Sequence, residues 1–392
     1  MNVTPLALHS PRALRDTLRA HGWDDGQAAA AASGIHPFAF HLTGLDQEAL
    51  EALVRHAGGL GLEVVTGQDW AVLAGSRSRL SAFARPWLVP PALTQLALDV
   101  GLAMPAESAP VWQTARGPVA LDRPVILGIL NVTPDSFSDG GRYAGVDAAL
   151  ARADVLLEGG AAMLDIGGES TRPGRTESVP VEVELERVLP VVEALVRRHP
   201  ELPLTIDTVK ADVARAALGA GAAAVNDVSA LRLDPDLARV VAEAKAGLVL
   251  MHSRGPILEI ASYTHATYGD VVGEVVAELR AALGVAAAAG VSPEATAVDP
   301  GFGFSKTVEQ NILLFDQLDA LQALGRPVLV GPSRKRFLGA VTGQPLEALD
   351  ARDRATATAC ALAWERGARL FRVHDAAAAR DALTLAQAVG GP

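Results

Sequence analysis

The feature that most constrains the fold is a pattern that recurs eight times between residues 125 and 375. Each repeat is a short apolar run of strand length that ends in polar residues, and a helical segment follows it. The runs are continuously apolar rather than alternating, which is typical of parallel strands that are buried on both faces. They cover residues 125–132, 162–168, 203–209, 223–228, 247–253, 296–301, 327–333 and 370–375.

Eight strand–helix units over roughly 265 residues favour a (β/α)8 TIM barrel by both their number and their length. The alternative is a doubly wound open sheet. Such a sheet would usually carry a glycine-rich turn after its first strand, and the G-x-G-x-x-G pattern is absent from this sequence. We therefore predict an α/β chain whose catalytic barrel spans residues 111–392.

The preceding segment, residues 1–110, has a different pattern and predicts a small α+β domain with a proline-rich linker. We expect helices at 10–23, 47–56, 76–85 and 93–102, and strands at 37–42, 62–66 and 70–74. The segment contains no constellation of residues that suggests catalysis. Its function stays open. A hairpin that turns at Arg116–Pro118 is expected to lead into the barrel.

Composition and charge exclude several classes of protein. The formal net charge of -11 argues against non-specific binding to nucleic acid or to an anionic membrane surface. No apolar run reaches the ~20 residues of a membrane span, and no export segment is evident. The single cysteine, Cys360, allows no intramolecular disulfide and fits a small core residue of a helix. We expect a cytoplasmic protein that acts on small molecules.

Polar side chains mark the carboxyl ends of all eight predicted strands. In a barrel of this type those ends meet at one mouth, where the active site lies. A single aspartate at a strand end often only caps the next helix, but capping does not explain eight such ends. The residues are Asn131, Asp165, Asp207, Asn226, Asp227, His252, Asp299, Ser333, Arg334, Lys335, Arg372 and His374.

One subset of these residues suits a flat, nitrogen-rich heterocycle. The carboxylates of Asp207 and Asp299 can accept paired N–H groups, the amide of Asn226 matches an amide edge, and Lys335 can donate to a ring oxygen or nitrogen. The run GFGFSKT, which contains Lys306, is only partly similar to a phosphate loop. It fails the Walker pattern because serine replaces the glycine before the lysine.

A second subset suits an anion, because guanidinium groups match phosphate oxygens. Arg372 and His374 lie two residues apart on the last predicted strand, so both side chains should point to the same face. Arg172 lies in a loop, 169–175, that could close over a substrate, as could the loop 133–143. Asn131 and Asp135 could share Mg2+ with a bound phosphate. Alternatively, Arg372 pairs with Asp375 or another carboxylate at the barrel rim.

Eight motifs make the sequence resemble the dihydropteroate synthase family, in the order of the chain. The resemblance covers about residues 111–392, and the N-terminal segment falls outside it. The motifs are NVTPDSFSDGG (131–141), DIGGESTRPG (165–174), IDT (206–208), VND (225–227), LMHSRG (250–255), DPGFGFSK (299–306), GPSRK (331–335) and RVHD (372–375).

The resemblance implies a transferase of folate biosynthesis. Members of that family condense 6-hydroxymethyl-7,8-dihydropterin diphosphate with 4-aminobenzoate, giving 7,8-dihydropteroate and diphosphate. The diphosphate departs first, and the aniline nitrogen attacks the cation-like pterin methylene that remains. Sulfonamides resemble aminobenzoate and inhibit the family. The resemblance further implies Mg2+ as the cofactor and a homodimer formed through the last helices.

Roles for individual residues also follow from the resemblance. Catalytic roles fall to Thr171, Arg172, Asp207 and Lys335. The pterin is held by Asp207, Asn226, Asp299 and Lys335, with Met251 and Phe304 packed around it. The diphosphate is bound by Arg372, His374 and Asn131, and Asn131 is the magnesium ligand. Thr171 and Arg172 belong to a mobile loop. Ser333 receives the carboxylate of aminobenzoate, although it could instead cap the following helix.

Two rival functions remain to be weighed against this one. A methyltetrahydrofolate–corrinoid methyltransferase shares a pterin-binding barrel but needs no diphosphate site, and the D-x-H-x-x-G cobalamin motif is absent. A pterin-binding paralogue without catalytic activity is the other rival, and the intact loops argue against it. The apolar stretch 355–364 could form a dimer interface or face the barrel core.

Overall fold

A computed structural model describes residues 37–104, 111–133, 142–169, 177–345 and 347–390, together with Arg19, Asp24 and residues 26–27. The chain divides into two compact units, Met1–Pro105 with Val389–Pro392 and Ala106–Ala388. The helix expected at residues 10–23 lies almost wholly outside the described residues. Among the described helices, none combines the length and the apolar character needed to cross a bilayer.

The first unit contains a three-stranded antiparallel sheet in the order β1-β3-β2. Its strands are β1 (Pro37–Thr43), β2 (Glu63–Thr66) and β3 (Trp70–Ser76), and its helices are α1 (Gln47–Gly59), α2 (Arg77–Phe83) and α3 (Thr94–Ala103). Asp46 fixes the start of α1, because its side chain accepts a hydrogen bond from the Ala49 N–H at 2.8 Å. This small α+β arrangement agrees with the prediction.

The second unit is a closed barrel of eight parallel strands, in the order β6-β7-β8-β9-β10-β11-β12-β13, with β13 pairing back to β6. The strands are β6 (Val125–Asn131), β7 (Met163–Gly167), β8 (Leu204–Asp207), β9 (Ala224–Asp227), β10 (Gly247–Met251), β11 (Thr296–Asp299), β12 (Val328–Val330) and β13 (Ala368–Val373). The predicted TIM barrel is confirmed.

Helices follow the barrel strands and pack apolar side chains against them. They are α4 (Arg142–Glu158), α5 (Val181–Arg198), α6 (Ala211–Gly219), α7 (Leu237–Glu243), α8 (Val271–Ala288), α9 (Val308–Asp316), α10 (Arg336–Thr342), α11 (Leu349–Glu365) and α12 (Ala376–Gly390). In α11, Ala359, Cys360, Ala363 and Trp364 belong to the core, so most of the stretch 355–364 faces inward.

Two predicted boundaries were wrong. Strand β13 covers residues 368–373 rather than 370–375, so His374 lies beyond the strand. The hairpin of β4 (Val111–Thr114) and β5 (Gly117–Ala120) turns before Gly117, which already pairs with Thr114.

The hairpin closes the amino-terminal end of the barrel. Trp112 is fully buried there, and its indole N–H donates to the Ala295 carbonyl oxygen at 2.8 Å. The ring needs space that only glycine leaves: a Cβ at Gly247 would lie 2.8 Å from it. Trp112 packs in an apolar cluster with Leu121, Val125, Leu127, Met163, Ala224, Val249, Ala297, Leu329 and Leu370.

Candidate active site

Four strands bring a charged network together at the carboxyl end of the barrel. Arg372 on β13 donates through Nε to Asp165 on β7, and through a terminal nitrogen to Asp207 on β8 at 2.6 Å. Asn226 on β9 donates through Nδ2 to Asp165 at 3.2 Å. The buried carboxylate of Asp165 therefore links Asn226, which was predicted to bind the heterocycle, with Arg372, which was predicted to bind the anion.

The pairing of Arg372 with two carboxylates agrees with the alternative considered for this residue. Burial acts to lower the pKa of Arg372, but Asp165 and Asp207 outweigh it, and the pKa is raised. For Asp207 burial is the largest influence and raises the pKa, against the charge of Arg372. The guanidinium therefore stays charged and compensates two carboxylates, and a contact with diphosphate would be additional to this pairing.

Asp299 and Lys335 lie on the adjacent part of the mouth. The Asp299 carboxylate is 3% exposed and accepts from the Gly301 N–H at 2.7 Å. Burial raises the pKa of Asp299 to about 6 and lowers the pKa of Lys335 to about 7. Burial disfavours the charged forms of Asp299 and Lys335. A ligand that hydrogen-bonds to these charged forms would offset part of that cost on binding.

An apolar wall stands beside Lys335. Its Nζ lies 3.5 Å from the centre of the Phe304 ring, a cation–π arrangement. Gly303 makes room for this contact, since a Cβ there would lie 2.8 Å from Cδ of Lys335. Phe304 and Met251 belong to one apolar cluster, with Val209, Val228, Ile260 and Ala261. The wall can pack against the face of a flat ring.

Ser333 contacts His374 rather than capping a helix. Its Oγ lies 2.9 Å from His374 Nδ1 and accepts from the His374 N–H at 3.1 Å. Helix α10 begins after Lys335 and has no side-chain cap. The expectation that Arg372 and His374 lie on one strand was wrong, because β13 ends between them at Val373. His374 is placed by Ser333 instead.

A left-handed residue shapes the turn that carries Ser333 and Lys335. Arg334 has φ 57°, which is unfavourable for a residue with a side chain. Its guanidinium makes a bidentate pair with Asp353 of α11, at 2.8 and 2.7 Å, and its N–H donates to Thr356 at 3.1 Å. These bonds hold the conformation of the turn between Ser333 and Lys335.

Asn131 is the described part of the predicted magnesium site. It is half-buried at the end of β6. Its Oδ1 and the Oδ2 of Asp207 would each lie 3.6 Å from a Cβ at Gly167, so two oxygen donors flank this glycine. Hard oxygen ligands suit Mg2+. Within the described ranges no group of three or more histidine, cysteine or acidic side chains could hold a metal. The predicted second ligand, Asp135, lies outside the described residues.

Three predicted residues lie outside the described residues. They are Asp135, in the loop after β6, and Thr171 and Arg172, in the loop after β7. Their roles stay predictions.

The comparisons with known proteins agree with this geometry. Residues 127–374 match the family of pterin-binding enzymes. The dihydropteroate synthase of Synechocystis sp. is 45% identical over 269 residues, which are 68% of this chain and 90% of that protein. The chain belongs to the dihydropteroate synthase family.

Solved dihydropteroate synthases share the barrel. The enzyme from Xanthomonas albilineans, with 4-aminobenzoic acid, is 48% identical and superposes with a TM-score of 0.66, over 73% of this chain and 100% of that one. The same enzyme in complex with 7,8-dihydropteroate gives 46% identity and a TM-score of 0.64, over 72% and 100%.

Two residues at strand ends do not belong to the pocket network. Asp227 accepts from the Ser229 and Leu231 N–H groups and therefore shapes its own loop. His252 is 2% exposed, with Nε2 at 3.0 Å from Glu278 and Nδ1 at 3.0 Å from Lys306. Burial and the neighbouring lysine lower the pKa of His252 to about 4, so its ring is neutral.

Lys306 is not part of a phosphate loop, and the sequence analysis had rejected such a loop. Its side chain is fully buried, and Nζ donates to the carbonyl oxygens of Gly301 and Phe304 at 3.2 and 3.1 Å. These hydrogen bonds stabilise the loop that follows Asp299 and contains Phe304. A lysine seven residues after a strand-end aspartate gives no signal of this burial in the sequence.

Sequence reasoning also missed a buried ion cluster beside β8. Lys210 pairs with Glu169 at 2.6 Å and with Glu184, which is 1% exposed. Glu169 in turn accepts from the Val179 N–H at 3.0 Å. The bond from Glu169 to Val179 joins the two sides of the loop after β7. An acidic residue on the inner face of α5, as Glu184 is, could have signalled a buried partner.

Proposed function

We infer that the chain is a dihydropteroate synthase. It condenses 6-hydroxymethyl-7,8-dihydropterin diphosphate with 4-aminobenzoate to form 7,8-dihydropteroate and diphosphate. The observation that carries this inference is the polar network at the barrel mouth, Asp165, Asp207, Asn226 and Arg372, with Asp299 and Lys335 beside it. Donors and acceptors of this kind match the edges of a pterin ring.

The pterin ring would lie between the polar network and the apolar wall. Asp207 and Asp299 accept ring N–H groups, Asn226 meets the amide edge, and Lys335 donates to the ring. Met251 and Phe304 supply the apolar contact, in agreement with their shared cluster. Burial strengthens each of these interactions, because water cannot compete for the same groups.

The diphosphate would lie toward Asn131, Arg372 and His374. Arg372 supports this placement through its permanent charge, and His374 through a ring held by Ser333. Mg2+ at Asn131 would supply positive charge to the departing oxygens. As the C–O bond breaks, its electron pair leaves with the diphosphate, and the guanidinium of Arg372 stabilises the developing charge. Thr171 and Arg172 are assigned to the same step from the resemblance alone.

The second half-reaction forms a C–N bond. The aniline nitrogen of 4-aminobenzoate attacks the electron-poor pterin methylene and then loses one proton. Ser333 and the backbone of the turn at Arg334 would receive the carboxylate. Fixing the far end of the molecule orients the nitrogen toward the reacting carbon, and this orientation lowers the entropic part of the barrier.

Two further assignments concern the whole protein. A homodimer is proposed from the family resemblance, with the exposed side of α11, including Leu362, available for it. A cytoplasmic location is proposed from the composition of the sequence. Size measurement in solution and fractionation of cells would test these assignments separately.

The test of the function is formation of dihydropteroate from the two purified substrates, with and without Mg2+. We expect product and diphosphate in equal amounts, and a strong dependence on the metal. Binding of the pterin diphosphate without any product would instead indicate a pterin-binding paralogue. Chelation of the metal before the assay gives the matched control.

A further inference from the structure

Asp165 is a fully buried charge at the barrel mouth, and the substrate roles above leave it unused. It lies in the middle of β7 with no solvent exposure. Its carboxylate accepts from Thr205 on β8, from Asn226 on β9 and from Arg372 on β13. One acceptor therefore ties together three other strands, and two of its donors are assigned to substrate.

The bond to Asn226 decides which way that carboxamide faces. An ionised carboxylate can only accept, so the NH2 group of Asn226 must face Asp165 and the oxygen must face away. In the described part of the chain, Oδ1 of Asn226 is buried and has no hydrogen-bond partner. Buried acceptors of this kind are rare without a ligand or water, so Oδ1 is ready to accept an N–H.

The bond to Arg372 fixes a second orientation. Asp165 accepts from Nε of Arg372, which leaves a terminal nitrogen directed at Asp207, 2.6 Å away. The guanidinium is planar, so anchoring one edge sets the direction of the rest of the group. Without Asp165, Arg372 could rotate away from Asp207 and toward bulk solvent.

We propose that Asp165 is a positioning residue that sets the hydrogen-bond polarity of the pterin pocket. It holds Asn226 as an acceptor toward the ring, and it holds Arg372 in line with Asp207. Asp165 does not itself touch the substrate. This inference rests on the proposed function, since it names the pterin as the ligand that Asn226 meets.

The first experiment replaces the carboxylate by a carboxamide of the same size, Asp165→Asn. The new side chain cannot accept from three donors, and it allows Asn226 to turn its NH2 toward the pocket. We expect KM for the pterin diphosphate to rise roughly 10- to 100-fold, the range expected when a buried polar group loses its partner. KM for 4-aminobenzoate should change less than about twofold.

A double-mutant cycle separates positioning from a general structural role. Asn226→Ala removes the group through which Asp165 acts, so Asp165→Asn should cost much less in the Asn226→Ala background. Thr205→Val is the matched control, because it removes one donor to Asp165 and leaves the bonds to Asn226 and Arg372. Its KM for the pterin diphosphate should stay within about threefold of wild type.

Several outcomes would overturn the proposal. These are an unchanged KM for the pterin diphosphate in folded Asp165→Asn, equal rises for both substrates, or additive effects in the cycle. If Asp165→Asn does not fold, Asp165→Glu displaces the same carboxylate by one methylene, and the same selective rise is expected. An inactive wild-type protein would refute the proposed function, whereas an active wild type with an unaffected variant refutes only the role of Asp165.

Discussion

The two ends of the barrel use the same strands in opposite ways. At the amino-terminal end, the cluster around Trp112 and Leu127 is apolar, and the one polar group of the tryptophan is bonded to Ala295. At the carboxyl end, the strands present Asp165, Asp207 and other charged groups to each other. The indole N–H at the amino-terminal end is hydrogen-bonded within the chain, whereas the carboxyl end keeps groups that a ligand can pair with.

The amino-terminal end of the barrel therefore stabilises the fold, whereas the carboxyl end lowers its stability. Burying a large aromatic side chain stabilises the fold by several kcal/mol. Burying charges costs free energy unless they are well paired, and the shifted pKa values of Asp299 and Lys335, about 6 and about 7, are signs of that cost. We therefore expect substitutions at the two ends to separate stability from substrate binding.

Arg372→Ala should have the largest effect, because it acts on both properties. It leaves Asp165 and Asp207 buried without their cation, which typically lowers the free energy of unfolding by ~3–5 kcal/mol. Binding of the pterin diphosphate with Mg2+ should weaken more than binding of free 6-hydroxymethylpterin, as measured by calorimetry. Arg369→Ala on the same strand is the control, since Arg369 stacks on Trp364 instead. Equal losses for both ligands would argue against a diphosphate contact.

Trp112→Ala should have the next largest effect, and only on stability. Removing the buried indole leaves a cavity at the amino-terminal end, and we expect the free energy of unfolding to fall by ~3–5 kcal/mol. Both KM values should stay within about twofold, because the site lies at the other end. Denaturant unfolding and steady-state kinetics measure this, with Trp112→Phe as the milder control. A change in substrate selectivity without loss of stability would break the comparison.

Ser333→Ala should have a smaller effect that falls mainly on one substrate. Loss of one hydrogen-bonding hydroxyl, worth ~0.5–1.5 kcal/mol, should raise KM for 4-aminobenzoate by about 2- to 12-fold and alter inhibition by a sulfonamide. KM for the pterin diphosphate should rise less, because Ser333 acts on that substrate only through His374. Ser292→Ala, which removes a hydroxyl just before β11, is the control. A lower melting temperature with all three constants unchanged would remove Ser333 from the site.

The pH dependence should be the smallest effect near neutrality. The ionised form of Asp299 accepts N–H groups through both oxygens. Its pKa is raised to about 6, so one of these acceptors is lost as pH falls through that value. Hence kcat/KM for the pterin diphosphate should decline below about pH 6, by up to tenfold per unit. Asp299→Asn should abolish this acidic limb. Retention of the limb in that variant would assign it to another group, such as Asp207.

The barrel was predictable because each strand carries its own signal in the sequence. Continuous apolar runs, such as residues 125–131, indicate strands buried on both faces, and their polar ends indicate the mouth of the barrel. The pairing of Asp165 was not predictable. Its partners Asn226 and Arg372 lie 61 and 207 residues away, and their contact depends on how the closed barrel aligns its strands. A pattern within one strand carries no information on that alignment.

The position of His374 shows a second limit. A period of two along a strand predicts a shared face only while the strand continues, and β13 ends at Val373. Lys306 shows a third limit, because nothing local distinguishes a lysine that is solvated from one buried against two carbonyl oxygens. Boundaries and burial are decided by neighbouring elements that the sequence pattern does not specify.

The most direct test compares Asp299→Asn with Trp112→Ala in one pair of experiments on the same samples. Calorimetry measures affinity for the pterin diphosphate, and denaturant unfolding measures stability. We predict that Asp299→Asn loses tenfold or more in affinity and no more than ~1 kcal/mol in stability, because Asn can still accept from Gly301. Trp112→Ala should show the reverse. Unchanged affinity in Asp299→Asn would contradict the assignment of the carboxyl end as the pterin site.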